Sequence, residues 1–118
     1  MPQQALVAEQ LADILAVIAH PHRIRIIEEL GARETDVHTL AEKLHLRQST
    51  LSQHLAQLRA QGIAVARREG RVVKYSLTTT WLAKWLVEGF QLLELQNTRS
   101  SKVMQAAKVV KRLWKLKE

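Results

Sequence analysis

Apolar positions recur at three- and four-residue spacings up to about residue 60, shift to a shorter period, and then crowd together. The first rhythm is that of helices with one buried stripe. Leu11, Ile14, Leu15 and Ile18 predict a first helix over about residues 5–18. In IAHPHRIRIIEELGA, Ile24, Ile27 and Leu30 supply the buried face of a second helix. Pro21 suits its first turn, where the missing N–H is not needed, and Gly31 reads as its stop. Asp36 falls where an N-cap is wanted for a short third helix carrying Leu40 and Leu44. Leu46 and Arg47 lead into a fourth, RQSTLSQHLAQLRAQG at 47–62, with Leu51, Leu55 and Leu58 on one stripe.

After Gly62 the pattern changes. IAVARREGRVVKYSL sets β-branched and aromatic residues around Glu69-Gly70, which predicts a β-hairpin turning at that pair. From about Thr79, TTWLAKWLVEGFQLLELQ is apolar nearly all round and predicts one long helix. A helix of this kind is buried on two sides. One side covers the chain's own core, and the other needs a partner, most simply a second copy. NTRSS at 97–101 reads as a break. Beyond it, Val103, Ala107, Val110 and Trp114 share one helical face, with Lys108, Lys111, Arg112 and Lys115 on the other. The pattern therefore gives a mainly α chain with a small β-hairpin: a domain over 1–96 and a basic amphipathic helix over 97–118.

The polar side of the fourth helix is unusual. Gln48, Ser49, Ser52, Gln53 and Gln57 occupy it without a single acid. Solvated helix faces are normally built from Glu and Lys, whereas Ser and Thr compete with the helix backbone for hydrogen bonds. Charge sharpens the point. The net charge is +7, yet residues 1–96 carry 11 basic against 10 acidic residues, and residues 97–118 carry 7 against one. Within the first part, residues 36–76 hold 7 basic and 3 acidic residues. A central and a terminal basic region point to a polyanion.

Composition removes other classes. With 118 residues and 47% hydrophobic content, one packed domain is expected rather than disorder. No apolar run approaches the ~20 residues of a membrane span. MPQQALVAEQLADIL lacks a basic leader, so a cytoplasmic protein without membrane contact is expected. Cysteine is absent, which excludes disulfides and thiolate sites. No Ser-His-Asp order, paired carboxylate pocket or Gly-rich phosphate loop emerges, so neither enzyme activity nor a cofactor is expected.

Three helices, a short helix-turn-helix, a hairpin and a further helix are the parts expected of a reading device for duplex DNA. The second helix of such a motif enters the major groove with its N-terminal residues at base edges. Ser hydroxyls and Gln amides match donor–acceptor patterns there, Gln pairing with adenine in particular. Arg47, Arg67, Arg68, Arg71 and Lys74 border that helix or lie in the hairpin, where cations hold phosphates and fix register.

IAHPHRIRIIEEL followed by ETDVHTLAEKLHLRQSTLSQHLAQLRAQGIAVARREGRVVKYSL closely resembles the ArsR/SmtB family of bacterial winged helix-turn-helix repressors, over about residues 6–95. The resemblance implies a homodimer joined through the first and last helices of the domain. It also implies a palindromic operator, released when a metal ion or other inducer binds. Gln48, Ser49, Ser52 and Gln53, with Thr50 beside them, would face the bases, and the wing around Arg68, Gly70 and Arg71 the backbone or minor groove. Leu11, Ile14, Leu15, Trp81, Trp85 and Leu92 would join the two chains.

Several positions depart from the family pattern. Its cysteine metal ligands correspond to Asp36 and His38, which read more simply as an N-cap and an exposed first-turn residue. The positions matching the family's second metal site, Thr79, Trp81, Leu92 and Leu95, are not metal ligands in character, so no metal is expected. His20 and His22 read as N-cap or exposed residues, and His45 and His54 as packing or surface residues. Arg47 stands where the family often has a capping serine. The basic tail leaves several roles open: a helix docked on the dimer, a DNA-backbone clamp, or a membrane-surface or partner helix. An alternative for the whole chain is a winged-helix protein-interaction module, its tail anchoring non-specifically to polyanions.

Overall fold

A computed structural model describes residues 1–96 and 101–117, with the backbone alone at 101 and 115–117. Four helices come first: α1 (Pro2–Ile18), α2 (Pro21–Ala32), α3 (Val37–Leu44) and α4 (Gln48–Ala60). Helix α1 starts three residues earlier than predicted, because Pro2 is preorganised for the first helical turn. His20 caps α2, its Nδ1 accepting the His22 N–H at 3.1 Å. Asp36 caps α3, its Oδ2 accepting the Thr39 N–H at 3.0 Å. The bonds from Thr39 hold the Asp36 carboxyl below the usual carboxylate range.

Two expectations about α2 are corrected. Ile26 is buried beside Ile27 and Leu30, while Ile24 is only half-buried. Gly31 does not stop the helix. It lies inside α2, where an added methyl group would overlap the Ala83 side chain and the Trp114 ring. Its missing side chain permits a close approach between elements, so the apparent stop signal had a packing cause.

The turn between α3 and α4 is built on His45. Its φ of 56° is left-handed, its N–H reaches the Glu42 carbonyl, and the Leu46 N–H reaches the Ala41 carbonyl at 3.0 Å. This is a Schellman stop with histidine in the place usually held by glycine. Ile26, Ile27, Leu40, Leu51, Leu55 and Leu58 are fully buried where α2, α3 and α4 meet. Each such side chain contributes roughly 1.5–3 kcal/mol by leaving water.

Strands β2 (Ala64–Glu69) and β3 (Val72–Leu77) form the predicted hairpin. Its turn is one residue later than expected, because Glu69 pairs with Val72 and leaves Gly70-Arg71 as the loop. Gly70 has φ +66°, the conformation demanded at the first position of such a loop. The sheet also has a third strand that alternation did not reveal. Residues Thr35–Asp36 form β1, pairing Thr35 with Tyr75 and Asp36 with Lys74, so β3 is central. Two residues are too few to carry a period.

The long helix expected from Thr79 is two helices, α5 (Trp81–Glu88) and α6 (Gln91–Leu95), parted by a turn at Gly89-Phe90. Ala83 and Val87 are its buried residues, and α5 packs on α2. Helix α7 (Ser101–Lys117) docks on the same body. Ala107 is buried, Val110 and Trp114 are half-buried, and Lys111 Nζ lies 3.9 Å from Glu94 Oε1. Val103, expected on the docked face, stays 40% exposed. Residues 97–100 of the predicted break and the Lys115 side chain lie outside the described residues.

Candidate DNA-binding surface

Burying Leu51, Leu55 and Leu58 turns the opposite side of α4 outward. Gln48, Ser49, Ser52, Gln53 and Gln57 are exposed, and Thr50 is half-buried at the flank. Arg47 precedes the helix in an extended conformation, exposed and without capping it through its side chain. The first turn carries no acid, so the partial positive charge of the helix N-terminus is not neutralised there. The surface offers neutral donors and acceptors beside a positive pole.

The wing divides the predicted cations into two groups. Cross-strand partners project to the same face, and successive residues to opposite faces. Arg68 pairs with Val73, on the face whose far end holds buried Ala64 and Leu77. Arg67 pairs with Lys74 on the other face. There Arg67 donates to Glu34 Oε1 at 2.7 Å and Oε2 at 3.2 Å, and Glu69 Oε2 lies 3.0 Å from Arg67 and 3.2 Å from Lys74. Arg67 holds the Glu34 carboxyl below the usual range, and Lys74 and then Arg67 do the same for Glu69. Arg67 and Lys74 are thus occupied in bracing the wing. Arg68 and Arg71, both exposed, remain toward the tip.

Behind α4 lies a group the sequence did not bring together. The rings of His20, His22 and His54 stand 4.5–5.5 Å apart, centre to centre. Arg23 Nε donates to His54 Nδ1 at 3.1 Å and its Nη1 to the Val17 carbonyl at 2.8 Å. Burial, followed by His20, Arg23 and His22, pushes the His54 imidazole below its ordinary value. On α2, Arg25 donates to the Leu44 carbonyl at 2.9 Å, supporting the end of α3. Only chain crossing could reveal these partners, since His54 is 31 residues from Arg23 and Glu34 is 33 from Arg67. No group of three or more His, Asp or Glu suited to a metal ion occurs among the described residues.

The six residues expected at a dimer contact gather on another side. Leu11, Ile14, Leu15, Trp81 and Trp85 line an apolar groove of about 410 Å³. Leu15 and Trp85 continue into a second groove that reaches Leu92. Trp81 and Leu92 remain 63% and 64% exposed, too much apolar surface to be explained by the core of one chain.

A helix-turn-helix whose second helix turns an uncharged polar face outward, followed by a cationic wing, defines a winged helix-turn-helix DNA-binding transcriptional regulator. Residues 20–65 match the family described as "Bacterial regulatory protein, arsR family". The nodulation protein NolR of Rhizobium meliloti is 39% identical over 85 residues, covering 72% of this chain and 70% of that protein. The transcriptional repressor SmtB of Mycobacterium tuberculosis is 35% identical over 82 residues, covering 70% of this chain and 61% of that one. The crystal structure of NolR from Sinorhizobium fredii superposes with a TM-score of 0.69 at 36% identity, covering 78% of this chain and 92% of that chain. The chain belongs to the ArsR family of bacterial regulatory proteins.

Proposed function

We propose that the chain acts in the cytoplasm as a homodimeric repressor binding a palindromic operator. Gln48, Ser49, Thr50, Ser52 and Gln53 read base edges in the major groove, while Arg47, Arg68 and Arg71 hold phosphates. Arg67 and Lys74 keep the wing at its angle through Glu34 and Glu69. The observation that carries this reading is the outward, acid-free polar face of α4, together with the exposed Arg68 and Arg71 of the wing. Acids there would repel phosphates, and an apolar face would bind protein rather than base edges.

The two grooves support dimerisation. A second copy laying its own α1 and α5 against them covers Leu11, Ile14, Leu15, Trp81, Trp85 and Leu92 in an isologous contact. Two reading helices related by that two-fold axis require a palindromic site about one helical turn between half-site centres. Among the described residues no helix is long and apolar enough to cross a membrane.

The test is selection of binding sites from random duplexes at physiological salt. A palindromic sequence preferred by ~10³-fold or more over unrelated duplexes is expected. Equal binding to all sequences would overturn the reading and favour a non-specific anchor.

A further inference from the structure

Gln48, the first residue of the reading helix, is held from behind. Its Nε2 lies 3.1 Å from Nδ1 of His38 on α3. The other ring nitrogen, Nε2, lies 3.0 Å from Glu42 Oε1, one turn further along α3. A carboxylate only accepts, so the His38–Glu42 contact places the imidazole proton on Nε2. In the neutral ring Nδ1 then presents a lone pair and accepts. That fixes the Gln48 amide, whose NH₂ end turns toward α3 and gives one of its two protons to His38. The carbonyl oxygen and the second N–H are left for another partner.

We propose that His38, oriented by Glu42, is a positioning residue that presets the Gln48 amide for adenine at one base pair of the operator. This rests on the reading of α4 as the base-facing helix. Adenine shows an N6–H donor beside the N7 acceptor in the major groove, and it is matched by an amide oxygen beside an N–H. Guanine shows two acceptors and rejects the carbonyl. An unrestrained glutamine rotates its amide to suit either base, and so discriminates less. With His38 taking one N–H, the amide keeps its orientation before DNA arrives, and the ordering cost of binding falls. The Glu42–His38–Gln48 chain thereby makes α3 part of the specificity determinant, although α3 itself need not touch a base.

The experiment uses the selected operator with each base pair varied in turn, titrated at about pH 8, where imidazoles are uncharged. Gln48→Ala identifies the pair that Gln48 reads. His38→Ala is expected to lower discrimination at that pair by about fivefold or more, leaving other positions and the thermal midpoint unchanged. Glu42→Ala acts in the same direction. His38→Asn, whose side-chain oxygen takes the acceptor's place, restores part of the loss. The double variant His38→Ala/Gln48→Ala is no worse than Gln48→Ala alone. Full discrimination in His38→Ala, or a uniform loss on every duplex, overturns the role of His38 while base reading by Gln48 stands. No altered pair in Gln48→Ala removes the base-reading assignment itself, and the proposal with it.

Discussion

Arg23 Nε and His54 Nδ1, 31 residues apart in sequence, meet at 3.1 Å and tie the start of α2 to the middle of α4. The bond needs an unprotonated Nδ1, because a guanidinium can only donate. Protonation there would set a second cation against Arg23 and bring it beside His20 and His22. The His54 imidazole is held below its ordinary value of 6.5 in the fold. The unfolded chain therefore takes up this proton first as pH falls, and stability drops. The contribution is complete above about pH 6.5 and is lost between that value and the lowered one. The depressed carboxyls of Glu34, Asp36 and Glu69 act only below their ordinary values of 3.8 to 4.5, so the His54 decline begins first as pH falls. Thermal unfolding at about pH 8 and about pH 5 should show this decline. His54→Gln, which keeps an acceptor but does not titrate, should flatten it.

Gly31→Ala should destabilise the fold, although alanine is the better helix former. The helix gains about 1 kcal/mol from the exchange, but the new methyl group overlaps Ala83 and the Trp114 ring. Overpacking of this kind costs about 1–3 kcal/mol or more. A net loss on the order of 1–2 kcal/mol in urea unfolding is expected. Unchanged or raised stability would mean that α5 and α7 do not press on α2.

His45→Gly should act in the opposite direction. The left-handed conformation at φ 56° costs an L-residue about 1–2 kcal/mol. Glycine removes that strain and returns part of the gain through a freer unfolded chain. A rise of about 0.5–1 kcal/mol is expected in the same measurement.

The two faces of the wing should separate in DNA titrations across salt concentrations. Arg71→Ala removes a cation from the exposed tip, so it should weaken all duplexes alike and reduce the salt slope by about 1. Arg67→Ala breaks bonds to Glu34 and Glu69 instead. It should leave the salt slope within error while altering the wing's susceptibility to proteolysis. Equal slope changes in the two variants would place Arg67 on DNA.

Gln53→Ala tests the centre of the reading face. Affinity for the selected operator should fall by ~1–3 kcal/mol and sequence preference should blur. A titration that showed neither change would remove Gln53 from the base contacts.

By itself the sequence determined the helices of the motif and the sidedness of α4. These depend on residues three or four apart, and Leu51, Leu55 and Leu58 can share a core only if Ser49 and Gln53 face away. Asp36 was readable as a cap for the same local reason. Tertiary structure alone decided which wing cations remain open, because Glu34 reaches Arg67 only once β1 has joined β3. It also decided that Gly31 continues a helix, that the apolar run after Thr79 turns at Gly89, and that His38 holds Gln48. Periodicity records which face of an element leaves water. It carries no record of which side chain from a distant segment will meet that face.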